Sequence, residues 1–263
     1  MLEEPEDLGE LTHDAIAGDF RIAQRRRGHR YSIDDVMTAW EAACAAPQAA
    51  RCLELGSGIG SVLLMLAYKL PQARFVAIEA QRNSFRLLTD NVRDNGLEPR
   101  VTLLHGDLRE QVDVAQLGRF TLVTGTPPYV PPGTATPSSD SQKAYCRQEL
   151  RGGVEDYLAA MGRVLAPDGV GVVCADARFP QRVFEGAIRA GLRVTRQRDV
   201  VPRAGHRALF AVFTLVGESA PAHAFEHARP WIARDEAGAR TLDYLAVRSF
   251  FGIEPAVGEL PSP

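Results

Sequence analysis

Lysine is nearly missing from this chain. Of its 30 basic residues only Lys69 and Lys143 are lysine, so almost all positive charge is arginine, and the formal net charge is −3. No global field therefore recruits a polyanion, although a local arginine patch still can. Cysteine is sparse: Cys44, Cys52, Cys146 and Cys174 form no C-x-x-C pair, which argues against both a zinc knuckle and a disulfide framework. Buried free thiols in a reducing compartment are expected, and no cluster of ligating side chains calls for a metal. Aromatic residues make up only 7% of the chain. The longest apolar runs are strand-sized, far short of the ~20 residues a membrane span needs. The opening Met1-Leu-Glu-Glu-Pro-Glu-Asp lacks the basic and apolar regions of a secretion signal. A cytoplasmic location is the expectation.

What is present is an ordinary globular composition. With 263 residues, 45% apolar and 24% charged, the chain is neither fibrous nor mainly disordered, and it can bury a core without staples. Ser32 reads as an N-cap, with Asp35 three residues on and Ile33, Val36, Met37 and Trp40 at helical spacing. Short apolar strands follow at Arg51–Leu55, Arg74–Glu79, Val101–His105, Phe120–Thr124, Val170–Ala175, Leu192–Val200 and Ala208–Val216, with helical patterns between most of them. A Pro/Ser/Thr-rich loop runs from Pro127 to about Gln142.

Alternating strands and helices predict a parallel sheet covered on both faces. Only Pro202-Arg-Ala-Gly-His-Arg separates the last two strands, too short for a parallel crossover. The last strand should therefore enter antiparallel, near the sheet edge. The expected fold is α/β: a Rossmann-like sheet of seven strands, mostly parallel, at residues 31–217. Residues 1–30 read as a leader ending in an arginine-rich segment, and 218–263 as an extension packing on the domain. Its helix offers Leu242, Leu245, Val247 and Phe250 for burial, against the domain or a second copy.

The strongest local signal is Glu54-Leu-Gly56-Ser-Gly58-Ile-Gly60, at a strand end that opens a helix. Glycines there allow a sharp turn and a close ligand approach. The dinucleotide fingerprint G-x-G-x-x-G fails, because its third position holds Ser61, and no Gly-Lys-Ser/Thr makes a phosphate loop. Acid-x-Gly-x-Gly-x-Gly instead resembles the pattern of S-adenosylmethionine (SAM) methyltransferases. Two acids end the next strands: Glu79, suited to a ribose diol, and Asp107 of Gly-Asp107-Leu108, suited to an adenine amine. Each alone is equally a turn residue. Three at successive strand ends, where such sheets bind ligands, point to SAM.

At the end of the fourth strand stands Thr126-Pro127-Pro128-Tyr129. It resembles the Asn-Pro-Pro-Tyr motif of methyltransferases acting on the amino nitrogens of adenine, cytosine or glutamine. In that family the Asn side chain and first Pro carbonyl accept from the target amine, and the aromatic ring stacks on a planar substrate. Here Thr126 replaces Asn and offers a shorter acceptor that also donates. It serves an unusual amine geometry, or a different target, or marks impaired activity. Gly28-His-Arg30-Tyr31-Ser32-Ile-Asp34 resembles the segment covering the SAM pocket in bacterial tRNA adenine-N6 methyltransferases, so Arg30, Tyr31, Ser32 and Asp34 become candidate lid residues. Lys143-Ala-Tyr-Cys-Arg147-Gln-Glu149 and Ile232–Thr241 are similar to later segments of the same family.

The resemblance implies SAM as donor, S-adenosylhomocysteine as product, and methyl transfer to an adenine amine in RNA, tRNA first. Arg25, Arg26, Arg27, Lys143 and Arg147 are then the expected RNA contacts, with a second arginine group between Arg189 and Arg207. The loop from Val130 to Gln142 is a candidate mobile element for extracting the base. Against an RNA substrate stand the acidic balance and the few aromatics. A protein or small-molecule methyltransferase is the alternative, and a non-catalytic SAM- or RNA-binding homologue is the third reading.

Overall fold

The computed structural model describes residues 7–110, 112–131, 133, 138, 140–221 and 224–254. Positions 132, 134–137 and 139 of the proposed mobile loop, and the chain from 255 onward, lie outside the described residues. The elements are β1 (Leu11–Ala17), β2 (Phe20–Arg25), α1 (Ile33–Ala45), β3 (Arg51–Leu55), α2 (Ser61–Lys69), β4 (Arg74–Glu79), α3 (Arg82–Asp94), β5 (Val101–His105), β6 (Phe120–Gly125), α4 (Ser141–Arg147), α5 (Val154–Val164), β7 (Leu165–Asp176), α6 (Gln181–Arg189), β8 (Leu192–Val201), β9 (Phe210–Gly217), β10 (Glu226–Ile232) and α7 (Leu242–Phe250).

One eight-stranded sheet runs β10-β8-β9-β7-β6-β3-β4-β5. Strands β3 to β7 pair in parallel, whereas β9 is antiparallel to both β7 and β8. The reversed strand thus lies near the sheet edge as expected, paired between β7 and β8. The short turn after β8 brings the chain straight back, and β9 fills the place that the α6 crossover skipped. An eighth strand, β10, lies outside β8 and parallel to it. Its sequence hides it: Glu226-His-Ala-Arg-Pro-Trp-Ile is largely polar and carries Pro230, where the pairing shifts register. Proline is tolerated there because no further strand needs its missing N–H.

Both faces of the sheet are covered. One core packs Met37, Val62, Leu63, Phe75, Phe210 and Trp231 among α1, α2 and α3. The other packs Leu53, Leu55, Phe120, Leu158, Met161 and Phe213 beneath α5 and α6. Cys52 and Cys174 sit inside as free thiols, but Cys44 is exposed. In α7, Leu245 and Val247 are buried, while Leu242 stays 72% exposed, contrary to its expected burial. No helix among the described residues is long and apolar enough to cross a membrane.

Residues 11–25, within the expected leader, form a β-hairpin. A two-stranded hairpin is marginal alone, and α3 holds this one through two asparagines one turn apart. Asn91 Oδ1 accepts from Ala23 N at 2.6 Å while its Nδ2 donates to Ala23 O at 3.1 Å. Asn95 repeats the pattern on Arg21, at 2.9 and 2.7 Å. At the hairpin tip, Gly18 N donates to Phe251 O at 2.7 Å. Lys69 Nζ donates to the neighbouring Phe250 carbonyl at 3.1 Å.

Candidate active site

The C-terminal ends of β3, β4, β5 and β6 meet at a cavity of about 670 Å³, a size typical of small-molecule sites. Its floor is the glycine turn after β3. Gly58 N donates to Glu79 Oε2 at 2.7 Å and Gln81 N to Glu79 Oε1 at 2.6 Å, so this carboxylate ties the turn to the end of β4. Gly56 adopts φ +62°, and a Cβ there would lie 2.0 Å from the Tyr157 hydroxyl oxygen. A Cβ on Gly125 would lie 2.5 Å from Cδ1 of the same ring. Tyr157 of α5 therefore rests across two adjacent strand ends, and neither has room for a side chain.

The roof is the segment between β2 and α1. Ser32 caps α1 in a reciprocal box with Asp35, whose carboxylate accepts from Ser32 N at 2.9 Å. Arg30 donates to Thr12 Oγ1 at 2.8 Å and pairs with Asp14 at 3.0 Å, while the Tyr31 hydroxyl donates to Ala15 O at 3.2 Å. The hairpin thus positions the roof. Gln24 joins them: its Nε2 donates to Asp14 at 2.8 Å and its Oε1 accepts from Tyr31 N at 3.1 Å. On the far side, buried Gln142 accepts from His29 N at 3.1 Å and donates to Ser84 Oγ at 3.1 Å, tying the roof to α4 and α3.

Negative charge dominates the interior. Asp34, Asp35, Glu79 and Asp107 all line the cavity. Burial, then the adjacent Asp34 charge, push the Asp35 carboxyl up to about 7. Beneath the floor Glu54 is 3% exposed, and its Oε2 has no hydrogen-bond partner among the described residues. Burial, and next the Asp35 carboxylate, hold Glu54 well above the usual carboxylate range. Asp107 goes the other way: burial alone would raise it, but Arg109, through hydrogen bonds at 3.0 and 2.8 Å and its charge, holds it low. Burial also pushes the His29 imidazole down and the Tyr129 phenol up, so both are neutral at pH 7.

Thr126, Pro127, Pro128 and Tyr129 form the wall that ends β6, beside the glycine turn, because Gly125 pairs with Leu55 of β3. The Thr126 side chain makes no hydrogen bond among the described residues and is only partly buried. At the rim stand Lys143, Tyr145, Arg147 and Arg151, with the Arg151 guanidinium 4.2 Å from the centre of the Tyr145 ring.

Of the residues singled out in the sequence, Arg26, Arg30, Tyr31, Ser32, Asp34, Gly56, Gly58, Glu79, Asp107, Leu108, Thr126 to Tyr129, Lys143 and Arg147 share this one cavity. Four do not reach its wall. Glu54 lies below it, and Gly60 caps α2. Arg25 is turned inward, paired with Asp140 at 3.0 Å and donating to Leu8 O at 2.7 Å. Arg27 is exposed outside the rim. Arg26 lines the cavity but spends its charge on Glu10 at 2.8 Å. The second arginine group is likewise largely engaged. Arg198 is buried against Glu41, Arg193 donates to Ala220 and Pro221 carbonyls, and Arg196 pairs with Glu226 at 3.5 Å. Residues passed over in the sequence include Asp35, His29, Tyr145, Cys146, Arg151 and Tyr157, all on the cavity. For Asp35 the capping-box spacing was a signal, though of helix geometry only.

Residues 36–138 match the family model of the methyltransferase small domain. The chain is 30% identical over 156 residues to a tRNA1(Val) (adenine(37)-N6)-methyltransferase of Porphyromonas gingivalis, covering 57% of this chain and 60% of that one. It is 30% identical over 187 residues to a ribosomal protein uL3 glutamine methyltransferase of Bradyrhizobium diazoefficiens, covering 68% and 51%. It thus spans between half and three-fifths of the length of these curated relatives. A solved predicted O-methyltransferase of Agrobacterium tumefaciens superposes with a TM-score of 0.61 at 16% identity, over 86% of this chain and 100% of that one, a likeness of fold. Sheet order and structural likeness agree on the fold, a Rossmann-like sheet of the kind seen in methyltransferases, and within it residues 36–138 match the methyltransferase small domain.

Proposed function

We propose that this protein is a SAM-dependent N-methyltransferase whose acceptor is the exocyclic amine of an adenine in RNA, with tRNA as the first candidate. The observation that carries this reading is that the Thr126-Pro127-Pro128-Tyr129 wall and the glycine turn share one cavity with the acids Asp34, Asp35, Glu79 and Asp107. When bound, SAM supplies an electrophilic methyl on a sulfonium. The chain's own residues suit such a ligand: Asp34, Asp35 and Glu79 line the cavity and favour a cation. Pro127 O and Thr126 Oγ1 would accept from the amine and hold its lone pair toward the methyl, while Tyr129 stacks on the base. The neutral Tyr129 phenol and Pro127 keep that side of the site apolar. The cationic rim of Lys143, Arg147 and Arg151 favours a phosphate-bearing acceptor over a peptide glutamine.

The test is transfer of labelled methyl from SAM into cell extract, divided by nuclease and by protease, with Tyr129→Ala as control. Nuclease-sensitive label that digests to methyladenosine is expected; protease-sensitive label would move the acceptor to protein. Thr126→Asn should raise kcat about tenfold, the worth of one better-placed acceptor at ~1.4 kcal/mol. Unchanged turnover on the correct RNA would remove the amine-acceptor role from this position.

Proton linkage gives a second check. With Asp35 near 7, the folded protein holds a proton that the unfolded chain sheds near 4. Its contribution to stability is therefore lost as pH rises from about 4 to 7, and the burial penalty is complete above that. A cationic ligand prefers the carboxylate, so SAM affinity should rise by up to about tenfold per pH unit below 7 and level off above it. Calorimetry in buffers of different ionisation enthalpy should show proton release on SAM binding near pH 6.5, absent in Asp35→Asn. Equal pH profiles for the two proteins would rule Asp35 out as the linked group.

A further inference from the structure

The sheet edge that carries Thr126 continues past the cavity. Gly125, at the end of β6, pairs with Val173 of β7, and Asp176 at the end of β7 pairs with Phe210 at the start of β9. The chain leaving β7 and the chain entering β9 therefore emerge side by side, on the same edge as the catalytic loop. Each presents a large apolar side chain to solvent: Phe179 is 49% exposed and Leu209 is 52% exposed. Asp176 is among the charges that act on Tyr129, so this edge adjoins the acceptor side of the cavity.

The surroundings of the two side chains are cationic. Neither 177–180 nor 202–209 contains an acid, and together they carry Arg178, Arg203, His206 and Arg207. Arg178 is clamped by Asp176 at 2.6 Å with its guanidinium 5.5 Å from the Phe179 ring centre. Arg203 is spent on the Glu236 carbonyl. Arg207 is exposed and has no ion pair among the described residues. An aromatic face with one side open, braced by a guanidinium and flanked by an uncommitted arginine, is the combination that single-stranded nucleic acid uses, stacking a base and seating a phosphate.

We propose that Phe179 and Leu209, with Arg207, form a second RNA-docking surface that holds the nucleotides flanking the target while the target base occupies the cavity. The inference rests on the RNA reading above and adds the place where specificity beyond the target base is read. An enzyme acting on one base in a folded RNA must hold it unstacked from its neighbours, and a surface beside the acceptor wall is where the displaced neighbour would lie.

The experiment is fluorescence anisotropy with end-labelled total bacterial tRNA, wild type against Phe179→Ala, Leu209→Ser and Arg207→Ala, with SAM affinity measured on each by calorimetry. Phe179→Ala should weaken tRNA binding about fivefold to tenfold, and Phe179→Trp should restore it. Arg207→Ala should flatten the slope of log affinity against log salt by roughly 0.7 to 0.9, one phosphate contact. SAM affinity should be unchanged throughout. If the wild type binds tRNA and all variants bind it equally, the docking surface is overturned while the RNA reading stands. If the wild type neither binds nor methylates tRNA, or labels protein instead, the RNA reading fails and the surface fails with it.

Discussion

Replacing Arg198 with methionine should destabilise the protein by about 3–5 kcal/mol, the usual result of stripping one partner from a buried ion pair. Glu41 of α1 is 2% exposed and its carboxylate meets Arg198 Nε directly. Arg198 also donates to Arg229 O at 2.6 Å and packs its guanidinium 5.2 Å from the Trp40 ring centre. One side chain thus joins α1, β8 and β10. Arg196 lies 3.9 Å from the same carboxylate, too far and too wet to take over. Urea denaturation measures the loss. The double variant Glu41→Leu with Arg198→Met should recover most of it, because an apolar pair needs no compensating charge. The outcome also judges the arginine group around β8: an RNA contact would leave folding untouched and weaken only binding.

Gly56→Ala should cost about 2–5 kcal/mol and lower SAM affinity by at least 100-fold. Part of the cost, ~1–2 kcal/mol, comes from forcing a side chain into the left-handed region at φ +62°. The rest, ~1–3 kcal/mol, comes from driving a methyl into the Tyr157 hydroxyl 2.0 Å away. These parts separate experimentally. Gly58→Ala has open space around its Cβ position and should show the backbone share alone. Adding Tyr157→Phe to Gly56→Ala should recover part of the steric share, the ring Cζ still lying 2.9 Å from the new methyl, and leave the backbone one. Equal losses in Gly56→Ala and Gly58→Ala would mean that Tyr157 yields, and that the tyrosine does not set the shape of the turn.

The parallel strands were legible because each is a short apolar run bounded by glycine or proline, and because β3, β4 and β6 each end in a residue type with obvious chemistry. The hairpin of β1 and β2 was not. Its strands, Leu-Thr-His-Asp-Ala-Ile-Ala and Phe-Arg-Ile-Ala-Gln-Arg, mix polar and charged residues with apolar ones, and they are held by Asn91 and Asn95, some seventy residues away. Similarly, α4 is capped by Asp140, whose side chain accepts from Lys143 N at 3.0 Å, in a stretch whose prolines and serines read as loop. Among site residues, those on strand ends or in the glycine turn were found, since local spacing places them. Tyr157 was passed over because its place over Gly56 and Gly125 depends on how α5 crosses the sheet. Arginines were misjudged most: sequence counts their charges, but only packing tells which, like Arg25 and Arg198, are already neutralised inside.

The bond from Gly18 to Phe251 closes a loop of more than two hundred residues, and the roof over the cavity hangs from the hairpin held at that point. A chain emerging from a ribosome makes its hairpin first and the end of α7 last. Sheet, glycine turn and acceptor wall can assemble in the meantime, but the tip of the hairpin stays unanchored until synthesis has passed residue 251. The hairpin can therefore dock on α3 through Asn91 and Asn95 long before its tip gains this last tie to the end of α7.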